Sequence, residues 1–409
     1  MPKTMKILLL VLAVAAAVSV SAMIASERTA REYEAYYGDY IESLQKAHEN
    51  DSETVRKIRE IEEYLDYYFI DDYDEKTLAD AAAAAVTEAT GDRWSYYLSA
   101  EEYGSYEEMM NNAYVGIGVT ITEQTELGGM RIESVTPDSP ALAAGIQVGD
   151  ILTHVEGVPS LELGMDETKN RVRGEAGTSV QLTFRRGEQD TYTVDVLRAN
   201  IETAVASCEL LEGGIGYITI KNFDRRCAEE TISCIEKIRK DGAKALLFDL
   251  RFNGGGLKDE MVEILDYLLP AGVLFRSEDY QGRTAKDMSL PSCLKMPMAV
   301  LVNEDSYSAA EFFAAALQEY EWATVVGART CGKGNFQSGF RLSDGSLLNI
   351  SIGKYYTPNG RHLTDVGVTP DVETALSEED YTKLYYGQLE KQDDAQLQAA
   401  VSELLQKIS

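Results

Sequence analysis

Residues 245–257 read Ala-Leu-Leu-Phe-Asp-Leu-Arg-Phe-Asn-Gly-Gly-Gly-Leu. A short apolar run that ends in glycines is typical of a buried strand followed by a tight turn. The same pattern recurs, and we predict strands at 215–220, 245–250, 299–302 and 324–326 with helices near 229–240, 259–269 and 309–320. Alternating strands and helices predict a mostly parallel sheet, so we interpret residues 199–376 as an α/β domain.

The composition of the 409-residue chain indicates a globular protein of roughly two to four domains. The formal net charge of −30 argues against nucleic acids and anionic lipids as partners, because both require a basic surface. Five cysteines are too few and too scattered for a disulfide scaffold, and no Cys-x-x-Cys pair indicates a zinc site.

The N-terminus predicts export. Lys3 and Lys6 precede 19 uncharged residues, 7–25, which is long enough to span a bilayer. The alanine- and serine-rich end of this run also resembles a signal-peptide cleavage region. Residues 1–25 are therefore either a signal anchor, giving a single-pass protein at the cell membrane with its main part extracytoplasmic, or a cleaved signal, giving a secreted protein.

Helical segments flank the chain at both ends. Residues 26–113 are interpreted as a helical stalk and an N-terminal helical domain, because Val55, Ile58, Ile61 and Leu65 recur at helical spacing. Residues 377–409 read as a C-terminal helical tail. Both sets of helices are candidate surfaces for a homodimer.

Residues 114–198 consist of short β-rich runs separated by turns, the first of them at 115–121. Gly116-Ile117-Gly118, Ser139–Gly145 and Arg173–Gly177 occur in the order that resembles a PDZ domain. The resemblance implies that Gly116, Ile117 and Gly118 bind a peptide, since an exposed strand edge beside free N–H groups can hold an extended chain and its terminal carboxylate. The alternative is a β-domain that serves only as a spacer.

Three segments of the predicted α/β domain carry unusual residues after strands. Gly254–Gly256 expose N–H groups that can hold an oxyanion or merely form a turn. Ser306 or Ser308 would start a helix, where a serine is usually an N-cap but can also be a nucleophile. Lys333 lies between two glycines, and burial would lower its pKa enough to make it a base; a turn lysine or a phosphate ligand is the alternative.

Two of these segments resemble family motifs. They are Asn303-Glu-Asp-Ser-Tyr-Ser-Ala-Ala-Glu311 and Gly327-Ala-Arg-Thr-Cys-Gly-Lys-Gly-Asn-Phe-Gln337. With the PDZ-like insertion, they make residues 55–375 similar to the carboxyl-terminal processing proteases, the tail-specific S41 serine peptidases. The resemblance implies a multidomain α/β fold: a crotonase-like α/β protease core, an inserted β-rich PDZ domain, and N- and C-terminal helices.

The resemblance also assigns roles to residues. It implies a dyad of Ser308 as nucleophile and Lys333 as base, with Gln337 orienting the lysine. It implies an oxyanion hole made by the N–H of Ala309 and a glycine N–H, Gly256 first and Gly255 second. The implied function is an exported serine endopeptidase that needs no metal or organic cofactor and captures proteins or peptides by accessible C-termini.

Departures from the family pattern keep alternatives open. Tyr307 stands beside the predicted nucleophile in place of a smaller residue and favours an inactive PDZ adaptor that binds peptides without cleavage. Arg93 and Cys331 also stand at positions where other residues are more common in the family. A crotonase-like acyl-CoA enzyme, a triad through His362 and a Cys331 nucleophile are further alternatives, of which the acyl-CoA enzyme conflicts with export.

Overall fold

The computed structural model describes residues 51–187 and 190–409. Helix α1 spans Glu53–Tyr68 and begins at Ser52, whose hydroxyl accepts the Val55 N–H at 3.3 Å. Helix α2 spans Glu75–Glu88. The predicted signal segment and the stalk up to residue 50 lie outside the described residues. Within the described ranges, no helix combines the length and the apolar character needed to cross a bilayer.

A short strand and a helix connect α2 to the β-rich region. Strand β1 spans Tyr96–Leu98, and helix α3 spans Ala100–Met110. Ser99 and Glu102 form a reciprocal capping box at the start of α3, in which each side chain accepts the other residue's N–H. This pairing fixes where the helix begins.

The β-rich region has its own apolar core. Its elements are β2 (Ala113–Gly116), β3 (Val119–Gln124), β4 (Gly129–Val135), α4 (Pro140–Ala143), β5 (Ile151–Val155), β6 (Val158–Pro159), α5 (Ser160–Val172), β7 (Ser179–Arg186), β8 (Asp190–Leu197) and β9 (Ala199–Glu202). Strands β3, β4, β5, β7 and β8 form one sheet in that order, with β6 beside β5, while β2 pairs with β9. Strand β3 is therefore an edge strand.

The prediction of one strand over 115–121 was wrong. Gly118 adopts φ +84° and separates β2 from β3. A Cβ at this position would lie 2.4 Å from the Cβ of Ser139, so only glycine fits the break. The break leaves Ile117 and Gly118 between the two strands.

The α/β region begins with β10 (Ala206–Leu211) and β11 (Ile215–Ile220) and continues through a second set of elements. These are α6 (Cys227–Lys240), β12 (Ala245–Asp249), α7 (Lys258–Leu268), β13 (Val273–Asp279), β14 (Thr284–Met288), β15 (Met298–Val302), α8 (Ala309–Glu319), β16 (Ala323–Gly327), β17 (Asn335–Arg341), β18 (Leu347–Tyr356), β19 (Val372–Glu373), α9 (Glu378–Tyr385) and α10 (Ala395–Ile408).

The central sheet has the order β10-β11-β12-β15-β16-β19. All its pairs from β11 onward are parallel, and only β10 runs antiparallel, which confirms the predicted mostly parallel sheet. Every residue of β12 and β15 is buried, as expected for strands covered on both faces. One apolar core of the α/β region includes residues of α6, α7 and α8. A second apolar core of this region includes Leu397, Ala400 and Leu404 of α10.

A second sheet completes the α/β region. It has the order β1-β18-β13-β14, with β17 also paired to β18. Strands β17 and β18 form a hairpin around Asp344-Gly345. In the described part of the chain, helices α1 and α2 precede the first strand and helices α9 and α10 follow the last one, as the predicted multidomain α/β fold requires.

Candidate active site

The three unusual segments follow three neighbouring parallel strands. Gly254–Gly256 follow β12, Ser308 follows β15 and Lys333 follows β16. The carboxyl ends of parallel strands meet at one edge of a sheet, where such folds bind ligands. All three segments line a single cavity of about 560 Å³, and Gln337 lines it as well.

Ser308 occupies a strained turn at the start of α8. Its backbone has φ 58° and ψ −124°, which is unusual for a residue with a side chain. The residue is 9% exposed and faces the cavity. The N-terminus of a helix favours negative charge, so the position suits a serine that develops charge.

The structure distinguishes Ser308 from Ser306. Ser306 is fully buried, and its hydroxyl donates to the Leu250 carbonyl at 2.7 Å and accepts the Asn303 N–H at 3.0 Å. These bonds tie the serine turn to the glycine turn. Ser306 is therefore a structural residue, and Ser308 is the serine that faces the cavity.

Two backbone N–H groups, one next to Ser308 in the chain and one in the glycine turn that lines the same cavity, are free to bind an anion. Within the described part of the chain, neither Ala309 N–H nor Gly256 N–H has an acceptor. The Gly255 N–H instead donates to Asn253 Oδ1 at 2.8 Å. Of these two glycines, Gly256 is therefore the one whose N–H has no acceptor among the described residues.

Glu311 connects the serine turn to the lysine segment. Its fully buried carboxylate accepts the N–H groups of Ser308 at 2.9 Å, Gly332 at 2.7 Å and Lys333 at 2.7 Å, together with the Thr330 hydroxyl at 2.5 Å. Burial raises the pKa of Glu311 above its ordinary value, although the four hydrogen-bond donors act to lower it. Sequence reasoning assigned Glu311 no role, although Ser308-Ala-Ala-Glu311 fits the Ser-x-x-Glu pattern of a helix start.

We expect Glu311→Gln to lower the free energy of unfolding by about 1–3 kcal/mol, because a glutamine NH₂ would face donors that now bind a carboxylate oxygen. Urea unfolding of the variant and of the exposed control Glu304→Gln measures the difference. Equal stability of the two variants would show that Glu311 does not join the segments.

The amine of Lys333 lies over two aromatic rings. Its Nζ is 4.4 Å from the centroid of Trp94 and 5.8 Å from that of Tyr307. In the described residues, no hydrogen bond joins this amine to Ser308. Burial lowers the pKa of Lys333, the carboxylates of Asp92 and Glu311 raise it, and Arg93 lowers it. Sequence reasoning assigned Trp94 no role, so its contact with Lys333 was missed.

The remaining predicted residues are placed as follows. The side-chain NH₂ of Gln337 donates to Ser351 Oγ at 3.0 Å and to the Asn335 carbonyl at 3.3 Å. Tyr307 forms a wall of the cavity, 5.6 Å from Trp94 between ring centroids, without closing it. His362 Nε2 contacts Thr364 Oγ1 at 3.1 Å and is absent from the cavity lining among the described residues.

Cys331 lacks the surroundings of a thiolate nucleophile. Burial raises the pKa of its thiol, and the Glu311 carboxylate raises it further. Arg93 approaches the sulfur at 3.9 Å and opposes this shift only in part. A thiol with a raised pKa stays protonated at neutral pH and is a weak nucleophile.

A second cavity of about 310 Å³ lies in the β-rich region. Gly116, Ile117 and Gly118 line it beside β3, and its floor is apolar, formed by Ile132, Leu152, Val172 and Phe184. Within the described residues, the N–H groups of Ile117 and Gly118 have no acceptor. Free N–H groups next to an edge strand suit an extended peptide that ends in a carboxylate.

Comparisons with known proteins agree with this architecture. Residues 214–374 match the family model for peptidase family S41, and residues 131–186 match a PDZ domain model. Relatives named "Probable CtpA-like serine protease" include one from Staphylococcus epidermidis ATCC 12228, 33% identical over 324 residues, and one from Staphylococcus aureus COL, 34% identical over 329 residues. The aligned regions cover 78% and 79% of this chain but only 65% of each relative.

A solved structure also resembles the chain. The photosystem II D1 C-terminal processing protease is 24% identical, with a TM-score of 0.45, and the match covers 77% of this chain and 85% of that chain. The match to the family model confirms the family resemblance predicted from the serine and lysine motifs. Residues 214–374 are therefore similar to peptidase family S41, and residues 131–186 of the same chain are similar to PDZ domains.

Proposed function

We propose that the chain is a serine endopeptidase in which Ser308 is the nucleophile and Lys333 the general base. The supporting observation is that Ser308, Lys333 and Gly256 line one cavity, and that the N–H groups of Gly256 and of Ala309, the residue after the serine, have no acceptor in the described residues. The relatives named as serine proteases support the same chemistry.

In this mechanism, Lys333 first leaves the face of Trp94 and approaches the serine hydroxyl. The neutral amine accepts the hydroxyl proton as Ser308 Oγ bonds to the substrate carbonyl carbon. The developing oxyanion is held by Ala309 N–H and Gly256 N–H, each donor typically contributing about 2.7–4 kcal/mol. The lysine then protonates the leaving amine, and water hydrolyses the acyl-enzyme to restore both groups.

The cavity walls also suggest which bonds are cleaved. Tyr96, Met109, Met110, Phe336 and Tyr355 line the cavity together with the catalytic candidates. Burial of an apolar side chain of the substrate against such walls would stabilise the complex, because apolar surface is removed from water. We therefore expect cleavage next to apolar residues.

The PDZ domain is proposed to capture the substrate by its C-terminus. An extended peptide would pair with the free edge of β3, and its carboxylate would accept the N–H groups of Ile117 and Gly118. From the sequence we also propose that residues 7–25 direct export and either retain the chain at the membrane or are cleaved. The terminal helices remain candidate surfaces for a homodimer.

Cleavage should depend on pH through Lys333. Because burial lowers the pKa of this amine, the rate should rise with pH and reach its plateau below the pH at which a free lysine titrates. Arg93→Gln removes a cation that lowers this pKa, so the rising limb should move to higher pH. Asp92→Asn removes a carboxylate that raises it, so the limb should move to lower pH. Initial rates of the wild type and of both variants, measured across pH, test this prediction. Movement of the rising limb in the same direction in both variants would contradict the account.

Incubation with an unstructured protein that ends in an apolar residue tests the proposed function. The full chain should release fragments, identified by mass spectrometry, and an amidated C-terminus on the same substrate should slow their release. Binding of the substrate without any fragment would support the adaptor alternative and reject the peptidase.

A further inference from the structure

The segment that follows the peptidase domain contacts both turns of the proposed active site. Helix α9 brings Tyr381 and Tyr385 against Phe252 of the glycine turn. Asp394, which caps the start of α10, pairs with Arg251. We call Tyr381, Tyr385 and Asp394 the C-terminal brace.

The contact of Asp394 is a buried ion pair. The Arg251 side chain is 2% exposed, and its Nη1 lies 2.8 Å from Asp394 Oδ2 while its Nη2 lies 2.6 Å from Asp249 Oδ2. Burial would lower the pKa of Arg251, but the two carboxylates raise it and keep the group charged. A buried guanidinium left with unpaired N–H groups is costly, so Asp394 holds Arg251 in one position.

Arg251 is the first residue of the glycine turn that ends at Gly256. The next residue, Phe252, has φ 60° and donates its N–H to Asn303 Oδ1 at 2.9 Å. Its ring lies edge-on to Tyr381 at 5.1 Å and to Tyr385 at 5.4 Å between centroids. These aromatic contacts offset the strain of a positive φ at a bulky residue.

The brace also reaches the serine turn. The Tyr381 hydroxyl donates a hydrogen bond to the Asp305 carboxylate, three residues before Ser308. The Asp305 N–H donates to Asn303 Oδ1 at 3.2 Å, the same oxygen that accepts the Phe252 N–H. One tyrosine of the brace therefore touches both turns that would form the oxyanion hole.

We propose that the C-terminal brace positions the oxyanion hole, with Asp394 and Tyr381 as positioning residues that fix the glycine turn relative to the serine turn. Its catalytic consequence rests on the proposed function, whereas the ordering of the two turns does not. A small displacement of either turn would move Gly256 N–H or Ala309 N–H away from the oxyanion. The loss would then appear in kcat rather than in KM.

The variants Asp394→Asn and Tyr381→Phe test the brace in the full chain. Asparagine can still cap α10, and phenylalanine keeps the ring on Phe252, so each change removes mainly one contact. We expect kcat to fall roughly 10- to 100-fold with KM within about twofold. Tyr386→Phe is the matched control, because this exposed tyrosine of the same segment contacts Tyr385 but is not part of the brace, and it should keep the wild-type kcat.

Hydrogen–deuterium exchange separates the brace from the proposed chemistry. In a Ser308→Ala background, exchange should become faster at residues 250–257 in Asp394→Asn and at residues 303–308 in Tyr381→Phe. Unchanged exchange in both variants would overturn the proposal. A loss of kcat in the control as large as that in Asp394→Asn and Tyr381→Phe would also overturn it. If the wild-type chain cleaved nothing, the proposed function would fail while the exchange data still decided the brace. If Asp394→Asn did not fold, Tyr381→Phe would decide alone.

Discussion

Alanine at position 308 is expected to reduce peptide cleavage by about 10⁴- to 10⁶-fold, the order of loss found when one member of a serine-peptidase triad is removed. Ser308 lines the same cavity as Gly256 and directly precedes Ala309, and the N–H groups of both residues have no acceptor among the described residues. Stability should change little, because the change removes a single hydroxyl group from a residue that lines the cavity. Cleavage of an unstructured protein, followed by mass spectrometry, measures the loss.

Ser306→Ala is the matched control for this variant. Its hydroxyl bonds the Leu250 carbonyl and the Asn303 N–H, so its removal should lower the free energy of unfolding by about 1–3 kcal/mol while much of the activity remains. The opposite pattern, with activity lost in Ser306→Ala and retained in Ser308→Ala, would show that Ser308 is not the nucleophile.

Methionine at position 333 should cause a loss of cleavage of similar size. Methionine keeps an unbranched side chain that can pack on Trp94, but it has no amine to accept the Ser308 proton. Binding of a peptide to the PDZ domain should be unaffected, since the two cavities share no described residue. Rates at saturating substrate, compared with peptide affinity by calorimetry, separate the two effects.

Lys354→Met controls for the loss of a positive charge in the same α/β region. Lys354 is exposed on β18, and its replacement should leave the cleavage rate within about twofold of wild type. If Lys333→Met retained wild-type cleavage at neutral pH, another group would have to act as the base.

The elements that could be predicted from the sequence are those with strong local patterns. The buried runs of β12 and β15 predict the parallel sheet, and the neighbouring carboxyl ends of β12, β15 and β16 bring the glycine, serine and lysine segments together. The choice of Gly256 over Gly255 depended on family resemblance. The geometry adds a physical reason, because Asn253 already occupies the Gly255 N–H.

Features that depend on distant contacts were not predicted. The break at Gly118 follows from the close approach of Ser139, which no local pattern reports. Trp94 lies more than 200 positions before Lys333, and Asp394 lies 143 positions after Arg251. Glu311 was visible within a motif, but its three backbone donors come together only after the lysine segment folds back onto α8.

The pairing of Ser308 as nucleophile with Lys333 as base is tested most directly by covalent labelling with a fluorophosphonate. In this reaction Ser308 Oγ would bond to phosphorus as fluoride leaves and the amine accepts the proton. Mass spectrometry of the labelled full chain should place the adduct on Ser308, at a rate that rises with pH and is lost in Lys333→Met. An adduct on Ser306 or Cys331, or labelling of Ser308 at an equal rate without the lysine, would contradict the account.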